Sequence, residues 1–324
     1  MPDRVEAPTG ESVDPALQWS AMRTITPKPI DTELSDMTAF ARSTKTGDRR
    51  DVRQNEPHEQ RDIARFDEEP YETDRQFVTA LARGLELLRC FGLKERHLGL
   101  TELARRTGLP KGTVARLAGT LAKLGYLRYD EPLGKYSLGT GVLSLGYAML
   151  SNLDIRDLAR PLMQELAEYA GCSVAIGVRD RLSMMYVEWV RSSAPITVMR
   201  SIGTRLPIAT TSMGRAYLAA ATDAERSAVL DQVRAQDETA WPRIEDGIGE
   251  AIKDYVTRGF CLSYGDWDAD IASVGVPFTA PDGTQMAFNC GGPAFVLSRD
   301  RLENDIGPRL AGLVKRVEAA IGRR

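Results

Sequence analysis

Lys111, Thr113, Arg116 and Thr120 fall on one side of a helix that starts after Pro110, and Arg128, Lys135 and Tyr136 follow in a short strand–turn–strand pattern. Arginine and lysine bind phosphate oxygens and guanine edges, and threonine touches a phosphate or a thymine methyl. On one surface, that set of residues has the chemistry of duplex DNA recognition. It breaks no bonds.

The elements around these residues are the ones such a surface needs. Val114, Leu117, Ala118, Leu121 and Leu124 form the opposite, apolar face of the same helix. A shorter helix through Leu100, Leu103 and Ala104 precedes it and stops at Gly108. Upstream, Val78, Leu81, Ala82, Leu85 and Leu88 recur at helical spacing from about Gln76 to Phe91-Gly92. Helix, tight turn, helix and wing is the layout that lays one helix in the major groove.

Charge is partitioned to match. Residues 74–138 carry 12 basic and 6 acidic side chains, whereas residues 1–73 carry 10 and 16. A basic block inside a chain of net charge −3 marks a local phosphate-contact surface. Residues 1–73 are polar and aperiodic, so they are expected to be a disordered acidic tail.

Other chemistry has little to work with. His58 and His97 are the two histidines, and His58 lies in the polar tail, so triads and histidine metal sites have little to work with. Cys90, Cys172, Cys261 and Cys290 are scattered and read as reduced, buried thiols. Neither a Gly-x-Ser-x-Gly elbow nor a phosphate loop is present, and Gly247-Ile248-Gly249 sits in a helical pattern. No cofactor, metal or membrane partner is expected. With no signal peptide and no apolar run long enough to cross a bilayer, the chain is expected to be cytoplasmic.

After the wing, Gly141–Ser151 and Ile155–Ala170 read as helices, the first with Leu143, Leu145 and Met149 to spare for packing on another protomer. Strands are predicted at Ser173–Val178, Ser183–Val190, Pro195–Ser201, Cys261–Gly265, Ser273–Thr279 and Gln285–Gly291. Helices are predicted at Ser212–Ala221, Asp223–Gln236, Ile244–Arg258 and about Arg299–Ile321. The fold class is α+β: a DNA-reading head at 74–139, a connector helix at 140–153 and a sensor-like domain at 154–324.

ALARGLELLRCF, LTELARRTGLPKGTVARLAGTLAKLGYL and GKYSLG together resemble the winged helix-turn-helix of IclR-type bacterial transcriptional regulators. GTRLPIATTSMGRAYLA and VGVPFTAPDGTQMAFNCGGPA extend the resemblance to the C-terminus. The opening segment leans towards members that control aromatic-compound catabolism. The resemblance implies a GAF-like α/β effector-binding domain, a non-enzyme, and a homodimer or tetramer on a pseudo-palindromic operator. It also implies a small organic acid effector, aromatic in that branch, held by Ser212, Met213, Ser263, Tyr264, Asp266, Ser273, Asn289 and Gly291. The start of the helix at Ser212 offers backbone N–H groups to a carboxylate, and Trp189, Trp267 and Tyr264 are candidates to flank an aromatic ring. The chain departs from the family pattern with Gly112 in place of serine, Ala209 in place of histidine and Arg215 in place of lysine. Two rivals stay open: an enzyme acting on a small acid, and a ligand-independent DNA-binding interaction protein.

Overall fold

The computed structural model describes residues 75–92, 95–194 and 200–322. The acidic tail and most of the expected strand at 195–201 lie outside the described residues.

The first segment is a small helical head. Helices α1 (Thr79–Arg89), α2 (Leu100–Thr107) and α3 (Lys111–Lys123) pack around Leu87, Leu103, Val114 and Ala118. Gly108 ends α2 in the left-handed conformation (φ 73°), and Pro110 caps the start of α3. Strands β1 (Leu127–Asp130) and β2 (Lys135–Leu138) form the wing, closed by a positive-φ Gly134. Leu98 and Tyr136 exchange two backbone hydrogen bonds of 2.8 and 2.9 Å, which fasten the wing to the segment before α2.

Two apolar sets lie elsewhere than their periodicity suggests. On α1 the buried residues are Gly84, Glu86 and Leu87, while Val78, Leu81 and Leu85 are at least half exposed. Leu124 likewise faces solvent at the end of α3. Helical spacing identifies an apolar stripe; it does not say whether the chain's own core or another copy covers it.

Helices α4 (Thr140–Ser151) and α5 (Ile155–Ala170) follow. No residue of α4 is buried, and Leu143, Leu145 and Tyr147 are each more than 60% exposed. On α5, by contrast, Ile155, Ala159, Met163 and Leu166 pack on a sheet.

That sheet is six-stranded and antiparallel, in the order β5-β4-β3-β8-β7-β6. Its strands are β3 (Ser173–Asp180), β4 (Ser183–Arg191), β5 (Arg205–Pro207), β6 (Cys261–Tyr264), β7 (Ile271–Thr279) and β8 (Gln285–Pro293). The edge strand is therefore Arg205–Pro207, and Arg200 and Ser201 are irregular. Helix α5 and the C-terminal α10 (Gly307–Ile321) cover one face, with Phe288, Leu302 and Leu310 in the core between. A short helix α9 (Arg299–Arg301) and a π-helical turn (Leu302–Ile306) lead into α10. Helices α6 (Ser212–Ala220), α7 (Asp223–Gln236) and α8 (Trp241–Arg258) cover the other face. A side chain at Gly275 would overlap the Ser212 carbonyl, so this glycine lets α6 lie against the sheet; one at Gly214 would overlap the Ile208 carbonyl, so that glycine lets α6 pack on the segment after β5.

All four cysteines are buried and free. Burial pushes the Cys90 and Cys172 thiols up to about 11 and Cys261 up to about 12. Among the described residues, no helix is long and apolar enough to cross a membrane.

Candidate functional site

Two surfaces carry chemistry, the first on the head. The outer side of α3 exposes Lys111, Arg116, Thr120 and Lys123, with Thr113 half-buried. Arg128 and Lys135 stand exposed on the wing, and Lys135 shares a groove with Lys111 and His97. The cations of the head divide by partner. Arg105 and Arg106 on α2 are held by Glu102 at 2.6 and 2.7 Å, and Arg89 by Asp180 at 3.0 Å. Lys111, Arg116, Lys123, Arg128 and Lys135 make no ion pair among the described residues. A cluster of like charges with no counter-ion among the described residues, on the helix-and-wing face, is suited to an external polyanion.

Gly112 and Gly119 lie on the same outer face of α3 with open space where a Cβ would be. Glycine inside a helix costs about 1 kcal/mol relative to alanine. No packing contact explains that cost here, whereas a smooth face lets the helix backbone approach a groove wall. Two expected contact residues are partly committed within the protein. The Thr120 hydroxyl donates to the Arg116 carbonyl at 3.0 Å. The Tyr136 ring lies 4.9 Å from that of Tyr129 and packs on the head core, and burial raises its hydroxyl pKa.

The second surface is a cleft in the sheet. Cross-strand registers align Ser263, Ser273, Gly291 and Ser173 in one row, and Gly275, Asn289, Ala175 and Trp189 in the next. Small residues in neighbouring rows leave a hollow in an otherwise filled face. A β-bulge at Val187 breaks the β3–β4 register, so Tyr186 and Trp189 project to the same side and wall it. Trp267, Leu206 and Ile271 continue the wall, and Arg200 lies at the cleft with its guanidinium 5.1 Å from the Trp267 ring centre. The space measures about 530 Å3, including the part open to solvent.

Polar groups converge on this cleft, and two of them lack partners. The Trp189 indole N–H and the Asn289 carbonyl oxygen are buried without a hydrogen bond. An unpaired buried polar group costs about 1–3 kcal/mol, so such groups gain from a ligand that pairs them. Burial also pushes the Tyr186 hydroxyl up to about 12, against a hydrogen bond from Asn289, so it stays protonated. Ser212 donates to Ser273 at 2.8 Å, and Ser263 donates to the Thr210 carbonyl at 2.8 Å; both bonds tie the start of α6 to the cleft floor.

Of the residues expected around a ligand, Ser263, Ser273, Asn289 and Gly291 line the cleft, and Ser212 lies directly behind Ser273. The structure does not bring Met213, Tyr264 and Asp266 there. Met213 is fully buried under α6 against Gly177. Asp266 accepts from Arg215 at 2.8 Å, and Arg215 also donates to the Ala209 and Leu262 carbonyls, so the pair staples α6 to β6. Tyr264 and Asp266 line a separate polar hollow beside α8. Sequence reasoning missed Tyr186, Arg200 and Ser173. A pair of β-strand aromatics three residues apart signals a shared face only if a bulge intervenes, and Arg200 belongs to no regular element.

Comparison with known proteins covers both surfaces. Residues 80–131 match the model of the IclR helix-turn-helix domain, and residues 147–317 match that of the bacterial transcriptional regulator IclR C-terminal domain. The chain is 34% identical to the HTH-type transcriptional regulator TsaQ1/TsaQ2 of Comamonas testosteroni, over 76% of this chain and 90% of that protein. It is 52% identical to an IclR family transcriptional regulator of Brucella abortus of known structure, with a TM-score of 0.73 over 77% of this chain and 95% of that one. A likeness of fold extends to an IclR homolog from Microbacterium hydrocarbonoxydans complexed with 4-hydroxybenzoate. That homolog is 20% identical, with a TM-score of 0.59 over 76% of this chain and all of that one.

Proposed function

Because the chain belongs to the IclR family of bacterial transcriptional regulators, we propose that paired copies of its head read a pseudo-palindromic operator and that a small organic acid in the sheet cleft changes how the heads are held. The single observation that carries the DNA half is the α3-and-wing face, where Lys111, Arg116, Lys123, Arg128 and Lys135 stand without counter-ions among the described residues. Arg116 is the base-reading candidate, because it lies mid-helix and is exposed. Lys111, Arg128 and Lys135 contact phosphates, with Thr113 and Thr120 beside them, and Tyr136 supports the wing.

Two heads must sit about 34–36 Å apart to enter successive major grooves on one side of a duplex. A second copy of the chain supplies the other head. The apolar faces of α1 (Val78, Leu81, Leu85) and α4 (Leu143, Leu145, Tyr147) are the surface that copy covers. The working division of the chain is a head at 74–139, a connector at 140–153 and a sensor domain from 154 onwards.

For the ligand, Arg200 attracts a carboxylate, the aromatic walls favour a flat ring, and the Asn289 oxygen accepts from a hydroxyl. The ligand of the Microbacterium hydrocarbonoxydans homolog, 4-hydroxybenzoate, combines these three features and is the natural first probe. Relatives that are regulators point to a non-enzyme.

The test is calorimetry with 4-hydroxybenzoate, benzoate and cyclohexanecarboxylate, alongside mobility shifts on the DNA upstream of this gene. Wild type is expected to rank them in that order, and Arg200→Ala to weaken the first about tenfold or more while melting at the wild-type temperature. Indifference of wild type to all three acids would remove the proposed ligand class.

A further inference from the structure

We propose that an ionic relay from β5 through Asp180 to α1 couples the cleft to the DNA-reading head inside a single protomer. The relay rests on the regulator reading above and names the means by which that cleft is heard.

The connection starts at the cleft wall. Leu206 lines the cleft, and its neighbour Arg205 on β5 donates to Asp180. Adjacent strand residues point to opposite faces, so Leu206 meets the cleft while Arg205 reaches Asp180, and a ligand that shifts this short strand shifts both. The segment is tied to a second wall residue as well. Tyr186 donates its N–H to the Thr204 carbonyl at 2.9 Å and accepts from Gly203 N–H at 2.8 Å.

Asp180 is the junction. Arg89 on α1 donates from one nitrogen to both of its oxygens, at 3.0 and 3.1 Å. Burial alone would raise the Asp180 carboxyl, but the guanidiniums of Arg205, Arg89 and Arg181 together hold it below its ordinary value. Next to it, Arg181 forms a two-pronged pair with Glu86, also on α1 and mostly buried. Arg181 has φ 58°, the single positive-φ non-glycine among the described residues. A side chain held in that region persists where its surroundings fix it, and the grip of Glu86 supplies such a fixture.

On the other side of the junction, α1 is part of the head's core. Leu87, between Glu86 and Arg89, is fully buried with Val114 and Ala118 of α3. The chain of contacts therefore runs from cleft wall to recognition helix with packed or charge-paired neighbours throughout. A cluster of three arginines and two carboxylates between otherwise separate hydrophobic cores serves as a joint with two arrangements, closed and released.

Hydrogen exchange on the full chain, with neither DNA nor acid present, tests the relay. Arg89→Gln, made on the head, should speed exchange of the backbone amides at 184–186 and 205–206 by about fivefold or more, the low end of ordinary coupling. Asp180→Asn, made on the sensor side, should do the same for α1. Arg234→Gln, a distant exposed arginine, should change neither. Faster exchange confined to the mutated side in both variants would overturn the relay and leave a local clamp. Because no ligand is present, failure of the protein to bind DNA or acid would sink the regulator reading without altering this outcome.

Discussion

Replacing Arg116 by alanine separates recognition from folding. The side chain is exposed on the outer face of α3, makes no ion pair among the described residues and is not part of the head's apolar core. Surface changes of this kind stay within about 0.5 kcal/mol of stability, so the melting temperature should move by no more than about 2 °C. On DNA the balance is different. A bidentate arginine–guanine contact discriminates by about 1–3 kcal/mol, and two heads double it. The expected loss is about 2–6 kcal/mol, or about 30-fold to 20,000-fold in operator affinity. Fluorescence anisotropy on the DNA upstream of this gene, repeated on a scrambled duplex, distinguishes the two possible contacts. A base contact weakens the operator alone and leaves the salt slope unchanged. A phosphate contact weakens both duplexes and lowers the slope by about 0.9 per head. Unchanged affinity on the operator at every salt concentration would refute any role for Arg116 in binding.

The apolar faces and the buried thiols give two further expectations. Leu145→Glu puts a charge on the exposed apolar side of α4 and should shift the protein towards monomer in analytical ultracentrifugation without unfolding it; an unchanged sedimentation profile would remove α4 from the self-association surface. The cysteine thiols ionise near 9 when unfolded and are pushed to about 11 for Cys90 and Cys172 and about 12 for Cys261 when folded. Their contribution is therefore fully present below pH 9 and is lost as pH rises from 9 towards 11 for Cys90 and Cys172 and towards 12 for Cys261, at about 1.4 kcal/mol per pH unit for each thiol. Urea midpoints measured from pH 8 to 10.5 should fall steadily above 9, and a flat profile would contradict the burial.

The sequence was most informative where local chemistry decides the structure. Gly108, Pro110 and the Val114–Ala118 stripe place the turn and α3 without reference to the rest of the chain. It was less informative where tertiary pairing decides. Val78, Leu81 and Leu85 have the spacing of a core face, yet Leu87 fills the core and the stripe stays outside. The edge strand lies at Arg205–Pro207 because β4 pairs there, with Ser183 opposite Pro207. Half of the cleft follows the same logic. Ser263, Ser273, Asn289 and Gly291 come from strands whose alternation is visible, while Tyr186 joins them through a bulge that no periodicity announces. Asp266 looks like a ligand group in the sequence and turns out to neutralise the buried Arg215.

The affinity of the wild-type protein for upstream duplex across a series of salt concentrations tests the central claim most directly. With Arg116 on a base, the four other cations of the face on each of two heads give a log–log slope between about −4 and −7, according to how many reach phosphates at once. A slope near zero, or no association with any duplex at low salt, would contradict the assignment of the α3-and-wing face to DNA.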